Sequence, residues 1–306
     1  MYKLYRAYRD ARNYAYNTNL MPPTGFEIIE TVKPRLASAQ VKVNIYPTKK
    51  EDVESPVLAK WDDLIEYNFQ EMELDDKKIK WINSQLTFGN GIIQIMWAGS
   101  FLDIEVVDNW LFYPDPKAMN RLKNSRWEIK QSFKSKAVLL QEEKERGDHG
   151  RLYDKDKLEK IEDEQPTGDD PRRDRYQINT LKMGQIDDGR QKKSDIQPSR
   201  GSSGSDKEYS ERTVEIWECW DHVEKKLQVI MNRKHLVRDE ENPYLGIRGG
   251  RVFIDLVDIA LNWEFYAMGH LEPVETTIHE IADSRNQAMD DIVYSLDPIR
   301  KVKNGS

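Results

Sequence analysis

Cysteine is almost absent from this chain: Cys219 is the only one in 306 residues. That excludes an internal disulfide framework and any zinc site built on several thiolates. Long apolar runs are missing too. No stretch approaches the ~20 apolar residues that a bilayer crossing needs, and Met1-Tyr2-Lys3-Leu4-Tyr5-Arg6 offers no apolar signal core. A soluble protein made in the cytoplasm, with no membrane partner, is expected. Nor is there a basic excess, since 47 Lys and Arg face 54 Asp and Glu for a net charge of −7. Tight groove binding to DNA uses a basic face that neutralises phosphates. The acidic balance argues against that, but it permits a surface past which nucleic acid moves without sticking. Histidine is sparse: His149, His222, His235, His270 and His279 form no pair at metal-ligand spacing and read as structural or solvated.

Charge is what the chain has in quantity, at 33% of residues against 38% hydrophobic and a mean hydropathy of −0.80. The length suits one large domain or two ordinary ones. So low a hydropathy implies that part of the chain stays solvated or borrows burial from a partner. The first stretch, to about Trp81, reads helical. Tyr5, Tyr8, Arg12 and Tyr16 recur at helical spacing until Pro22-Pro23 ends that element. Further helices are expected over 26–39 (Phe26, Ile29, Val32 and Leu36 on one stripe), 57–69 (Leu58, Leu64, Ile65 and Phe69 inward) and 75–87.

From Gly89 the period becomes two. Residues 92–97 and 102–107 read as strands paired around Ala98-Gly99-Ser100, with 127–133 as a third. Short helices over 135–145 and 152–162 follow. Residues 163–212 hold 10 basic and 11 acidic residues but few large apolar ones, so much of that stretch is expected to be disordered or a long surface insert. Thr213 to Trp220 and Leu227 to Met231 then form a hairpin.

A long helix is expected from Leu271 to Ser295, with Pro273 in its first turn. Leu271, Val274, Ile278, Ile281, Ala288, Ile292 and Ser295 recur in a 3-4 rhythm interrupted by Arg285. Two readings stand: an amphipathic helix on its own domain, or a helix seamed against copies of itself. Glu280, Asp283, Asp290 and Asp291 are correspondingly a solvated face or a channel lining.

Signals of chemistry are thin. Pro114-Asp115 followed by Glu128-x-Lys130 fits the loose pattern of metal-dependent nucleases, in which two carboxylates hold Mg²⁺ and a lysine steadies developing charge. A Pro-Asp-Pro turn accounts for Asp115 without catalysis. Gly89-Asn90-Gly91 precedes a strand, so it lacks the helix N-terminus of a phosphate-binding loop and reads as turn glycines. Cys219 reads as a packed small hydrophobe, and Trp97, Trp110, Trp127, Trp217 and Trp220 as core and interface material. No catalytic, cofactor-binding or metal-binding set is assigned, and no enzyme activity is expected.

Taken in order, several segments resemble the portal (head–tail connector) proteins of tailed bacteriophages. Phe88-Gly89-Asn90-Gly91-Ile92-Ile93-Gln94-Ile95-Met96-Trp97 is similar to their Gly-x-Gly, strand, Trp passage. Phe112-Tyr113-Pro114-Asp115-Pro116-Lys117-Ala118 before the Trp127 strand, and Val214-Glu215-Ile216-Trp217-Glu218-Cys219-Trp220, match later passages. Phe265-Tyr266-Ala267-Met268-Gly269-His270-Leu271-Glu272-Pro273-Val274 and Ser284-Arg285-Asn286-Gln287-Ala288-Met289-Asp290-Asp291 are similar to the opening of the stem helix, with its Arg-Asn-Gln and Asp hallmark. Leu296-Asp297-Pro298 and Val302-Lys303-Asn304-Gly305-Ser306 resemble the passage into the clip.

The resemblance implies an α+β fold: a helical and mixed-sheet wing domain over 1–268, a stem helix over 269–296 and the start of a clip over 297–306. The chain then looks like a portal cut before the second stem helix and crown. It further implies a homo-oligomeric ring, usually of twelve, at a unique capsid vertex of the virion. Genomic double-stranded DNA would be packaged and ejected through it without sequence recognition. The terminase large subunit, capsid and scaffolding proteins, and tail or adaptor proteins would be partners. Arg300, Lys301 and Lys303 become candidates to face DNA. Leu271, Val274, Ile278, Ile281, Arg285, Ala288 and Ile292 become candidates for the intersubunit seam. A closed ring supplies the neighbours such a helix needs, and acidic walls repel phosphates. The alternatives are the metal-dependent nuclease, or a head scaffold or adaptor that never touches DNA.

Overall fold

Local patterning sets the elements, and three apolar clusters stack them into layers. A computed structural model of the chain describes residues 1–9, 18–39, 56–98, 101–119, 121–146, 153, 155–163, 213–246 and 248–296. The expectations on Arg12, Tyr16, Gly99, Ser100, His149, Leu152 and 164–212 lie outside these residues, as do those on 297–306. The chain is α+β, with antiparallel sheets and a long helix closing the described residues.

Four helices come first: α1 (Tyr2–Tyr5), α2 (Thr24–Ala37), α3 (Pro56–Glu71) and α4 (Leu74–Phe88). α1 is a single turn rather than the long element that the tyrosine spacing suggested, because Ala7 turns the chain at φ +48°. Ile29 is buried on α2, but Phe26 and Leu36 are exposed, and the Phe26 ring lies against Tyr5. α3 departs furthest from expectation: Leu64 points outward with Trp61 and Tyr67, while Phe69 near its end and the following Met72 join the core.

β1 (Asn90–Ala98) and β2 (Phe101–Val107) pair as expected, with Ile92 opposite Val107. After short turns come β3 (Phe112–Pro114), β4 (Trp127–Lys134), α5 (Lys136–Arg146) and α6 (Lys155–Glu159). Then β5 (Val214–Asp221), β6 (Lys226–Met231) and β7 (His235–Glu241) extend the second sheet in the order β3-β4-β5-β6-β7. β8 (Phe253–Val257) closes the first sheet as β2-β1-β8, with Gly91 opposite Leu256.

One face of β1 places Ile92 in a cluster with Phe253 of β8 and with Phe112, Ile216, Trp220 and Val229 of the second sheet. The other presents Ile93 to Met72, Trp81 and Ile104 beneath α4. The layers are therefore helices, three-stranded sheet and five-stranded sheet. Of the five tryptophans read as core and interface material, only Trp220 is fully buried, and Trp97 is half-exposed at the end of its strand.

The last helix, α7, runs from Glu275 to Leu296, about 33 Å at 1.5 Å per residue. It begins after Pro273 rather than at Leu271. The residues before it are held across the end of α4 instead: His270 N–H donates to Leu86 O at 2.9 Å and Asp258 N–H to Gly89 O at 2.9 Å. Glycine is required at this crossing. Gly89 ends α4 at φ +88°, and a Cβ there would stand 1.9 Å from the Ala267 carbonyl oxygen; one on Gly269 would stand 2.8 Å from that of Thr87.

Candidate functional site

α7 and the residues leading into it carry the assembly candidates, and the structure divides them. Leu271, Val274 and Ile278 pack into the chain's own core with Leu4, Ile29, Ile82 and Leu86, so they are not free to form an outward seam. Beyond Ile278 the buried line continues through Ala282, Asn286 and Asp290. Steps of four advance about 40° around a helix, while a 3-4 rhythm drifts slowly the other way. The two lines coincide at Ile278 and point about 160° apart by Asp290 and Ile292. The remaining candidates, Ile281, Arg285, Ala288 and Ile292, are therefore exposed, and Met289 and Val293, bordering the buried line, are exposed as well.

The buried line binds an N-terminal strap. Asn286 is fully buried and pairs with one residue twice: its Oδ1 accepts from Leu20 N–H at 2.8 Å, and its Nδ2 donates to Leu20 O at 3.1 Å. Asp290 Oδ1 accepts from Thr18 N–H at 3.0 Å and from the Thr18 hydroxyl, while Asp283 pairs with Arg9. Asn90 does the same at the helix base, accepting from Ala267 N–H at 2.6 Å and donating to Phe265 O at 3.3 Å. Sequence reasoning read Asn286 only as part of a hallmark, and read Asp290 also as a solvated face or channel lining, whereas it is buried against Thr18. A polar side chain replacing an apolar one at four-residue spacing was the available signal.

The residues of the nuclease-like pattern are brought into one sheet region but are spoken for. Asp115 is buried and caps the following turn through Lys117 N–H at 3.0 Å. It receives both the Nε (2.6 Å) and the Nη2 (3.1 Å) of Arg126. Glu128, also buried, accepts from Arg251 at 2.9 Å and lies 3.2 Å from His222 Nε2. Lys130 donates instead to Gln94 at 2.6 Å and to Glu105 at 2.5 Å. Each carboxylate thus faces an arginine, which leaves the pair poorly arranged to hold a cation. Among the described residues no group of three His, Cys, Asp or Glu side chains converges as a metal site would. Burial, with the Asp221 charge, pushes the Cys219 thiol up, away from the reactive thiolate. Arg300, Lys301 and Lys303 lie outside the described residues, and no described helix is long and apolar enough to cross a membrane.

The Asp115 pair makes a pH prediction. The Arg126 guanidinium, helped by the Lys117 and Arg126 N–H groups and opposed by burial, holds this carboxyl far below the usual range. A depressed folded value means the stabilisation is whole above the unfolded pKa, near 3.9, and drains away as pH falls below it. Asp115→Asn is expected to lose roughly 2–3 kcal/mol at neutral pH, with a shallower further loss than wild type between about pH 4 and 2.5. Urea midpoints across that range check it, and parallel curves would refute the assignment.

No protein-family model matches the chain, and no curated protein matches it.

Proposed function

We propose that this chain is a structural subunit of a portal-type ring, forming the channel for phage DNA and the platform for terminase and tail proteins. The observation that carries the reading is the apolar arc of α7, Ile281, Ala288 and Ile292, facing solvent on a helix clamped along its other side, with exposed Met289 and Val293 bordering the clamped line. Water contact on such an arc is unfavourable by about 1.5–3 kcal/mol for each large side chain that a neighbour would fully cover. A head-to-tail ring needs two unlike patches per subunit. α3 offers the second, with Trp61, Leu64 and Tyr67 each about half in water. The ordered resemblance to portal passages supplies the rest of the proposal, including the DNA channel, and the paired state of Asp115 and Glu128 favours it over the nuclease.

The purified chain is expected to form large closed rings by analytical ultracentrifugation and electron microscopy, without Mg²⁺-dependent nicking of DNA. Ile281→Asp and Ile292→Asp are expected to shift it to small species while moving the melting temperature by less than about 2 °C, since both sites are exposed. A monomeric wild type, or rings that survive both charges, would sink the reading.

A further inference from the structure

Beside the base of α7 lies an open cleft of about 370 Å³, within the size range of ligand sites. Its walls combine two features rarely wasted together. Phe88, Trp110 and Tyr266 supply ring surface, and Glu264 and Glu272 supply two exposed carboxylates. Neither carboxylate has an ion-pair partner among the described residues. The rings are fixed in place: Trp110 is flanked edge-on by Tyr2 and Phe88 at 6.2 and 6.1 Å between centroids. Tyr266 already donates its hydroxyl to Phe112 O at 2.8 Å, so it offers the cleft its ring and not a proton. A third observation comes from Asn109, which also lines the cleft. It is only 7% exposed; its Nδ2 donates to Asn90 O, yet its buried Oδ1 has no partner among the described residues. An acceptor left unmade at such burial is unfavourable.

We propose that this cleft is a binding site for a guanidinium group, namely an arginine side chain. Aromatic faces attract a cation, and a planar guanidinium can stack on a ring while its N–H fork meets carboxylates. A lysine ammonium, more strongly hydrated and not planar, uses the same walls less well. An anion is excluded by Glu264 and Glu272, and a neutral apolar ligand would leave both unanswered. The arginine belongs either to a second copy of this chain or to a separate molecule. The site itself does not depend on the ring reading.

The test titrates the full chain with L-argininamide by calorimetry and ligand-observed NMR, with neutral L-citrullinamide as the isosteric control. Argininamide is expected to bind about tenfold or more tightly than citrullinamide, and Glu264→Gln with Glu272→Gln to erase that preference. Both glutamates are exposed, so the double variant should melt like wild type, and the melting curve establishes that it has folded. Trp110→Leu should weaken argininamide further. Equal binding of the two probes, or full binding by the folded double variant, overturns the proposal. Saturating argininamide also identifies the source: a fall in assembly mass assigns the arginine to a neighbouring copy, and an unchanged mass with measurable binding assigns it to a separate molecule.

Discussion

Lys130→Met is expected to destabilise the fold by roughly 3 kcal/mol at neutral pH, the low end of what breaking a buried charge pair costs. Lys130 projects from β4 between the two sheets and is almost fully enclosed. Its ammonium donates to Gln94 of the first sheet, whose own amide donates onward to Glu218 of β5 at 3.2 Å. Burial alone would pull the lysine down, but the charges of Glu218 and Glu105 outweigh it and leave its pKa raised. Methionine keeps the volume and removes the charge, stranding Glu218 and the Gln94 carbonyl. Glu105 is half-exposed and can turn to water, which is why the loss stays at the low end. A drop in melting temperature of about 6–12 °C follows from a loss of that size. The double change Lys130→Met with Glu218→Leu should recover more than half of it, because an apolar pair of similar volume is often as stable as the buried ions. The sign with pH is opposite to that at Asp115. A raised lysine pKa means the contribution is whole below about pH 10 and fades as pH rises through the folded value. Melting curves at pH 7 and above 10 would check both statements. A Lys130→Met protein as stable as wild type would show that the bridge only fills space.

Lys130 also marks where the sequence stopped being legible. Its position on a strand was readable, because alternation over 127–133 is a local signal, as it is for β1, β2, β5 and β6. What it would touch was not, because Gln94 and Glu218 are brought to it by strands far apart in sequence. β8 escaped for a related reason: Phe253, Ile254, Leu256 and Val257 leave little alternation in five residues, and its partner β1 lies some 160 residues earlier. Among the helices, periodicity found α2, α3 and α4 but misjudged what α3 faces, since an amphipathic stripe says nothing of whether its partner is in the same chain. The burial of four asparagines was not read from the sequence. Asn90, Asn232, Asn242 and Asn286 each clamp backbone with both ends of the amide. Polarity scales assign such residues to the surface, whereas an unpaired backbone group would be the greater penalty.

Asn286→Ala should show what that clamp is worth, with an expected loss of roughly 2–4 kcal/mol. Alanine leaves the Leu20 N–H and C=O without partners and opens space under the strap at the same time. The loss should be local before it is global: amide exchange at Leu20 and Thr18 should accelerate well before that of β1 or β5. Asn286→Asp separates the two halves of the bond. An ionised aspartate still accepts from Leu20 N–H but sets a carboxylate against the Leu20 carbonyl, so near neutral pH it should be no better than alanine. Protonation restores a donor, so this variant alone should regain stability as pH falls toward 5. Assembly ties the clamp to the proposed ring. Holding Asn286 and Asp290 against the strap is what turns Ile281, Ala288 and Ile292 outward, so freeing the distal half of α7 removes the orientation of that arc together with its anchor. Asn286→Ala should therefore lower ring formation and stability together, whereas Ile292→Asp lowers ring formation alone. Rings of full mass from a strap-released Asn286→Ala protein would mean that the arc of α7 is not what neighbouring subunits grip.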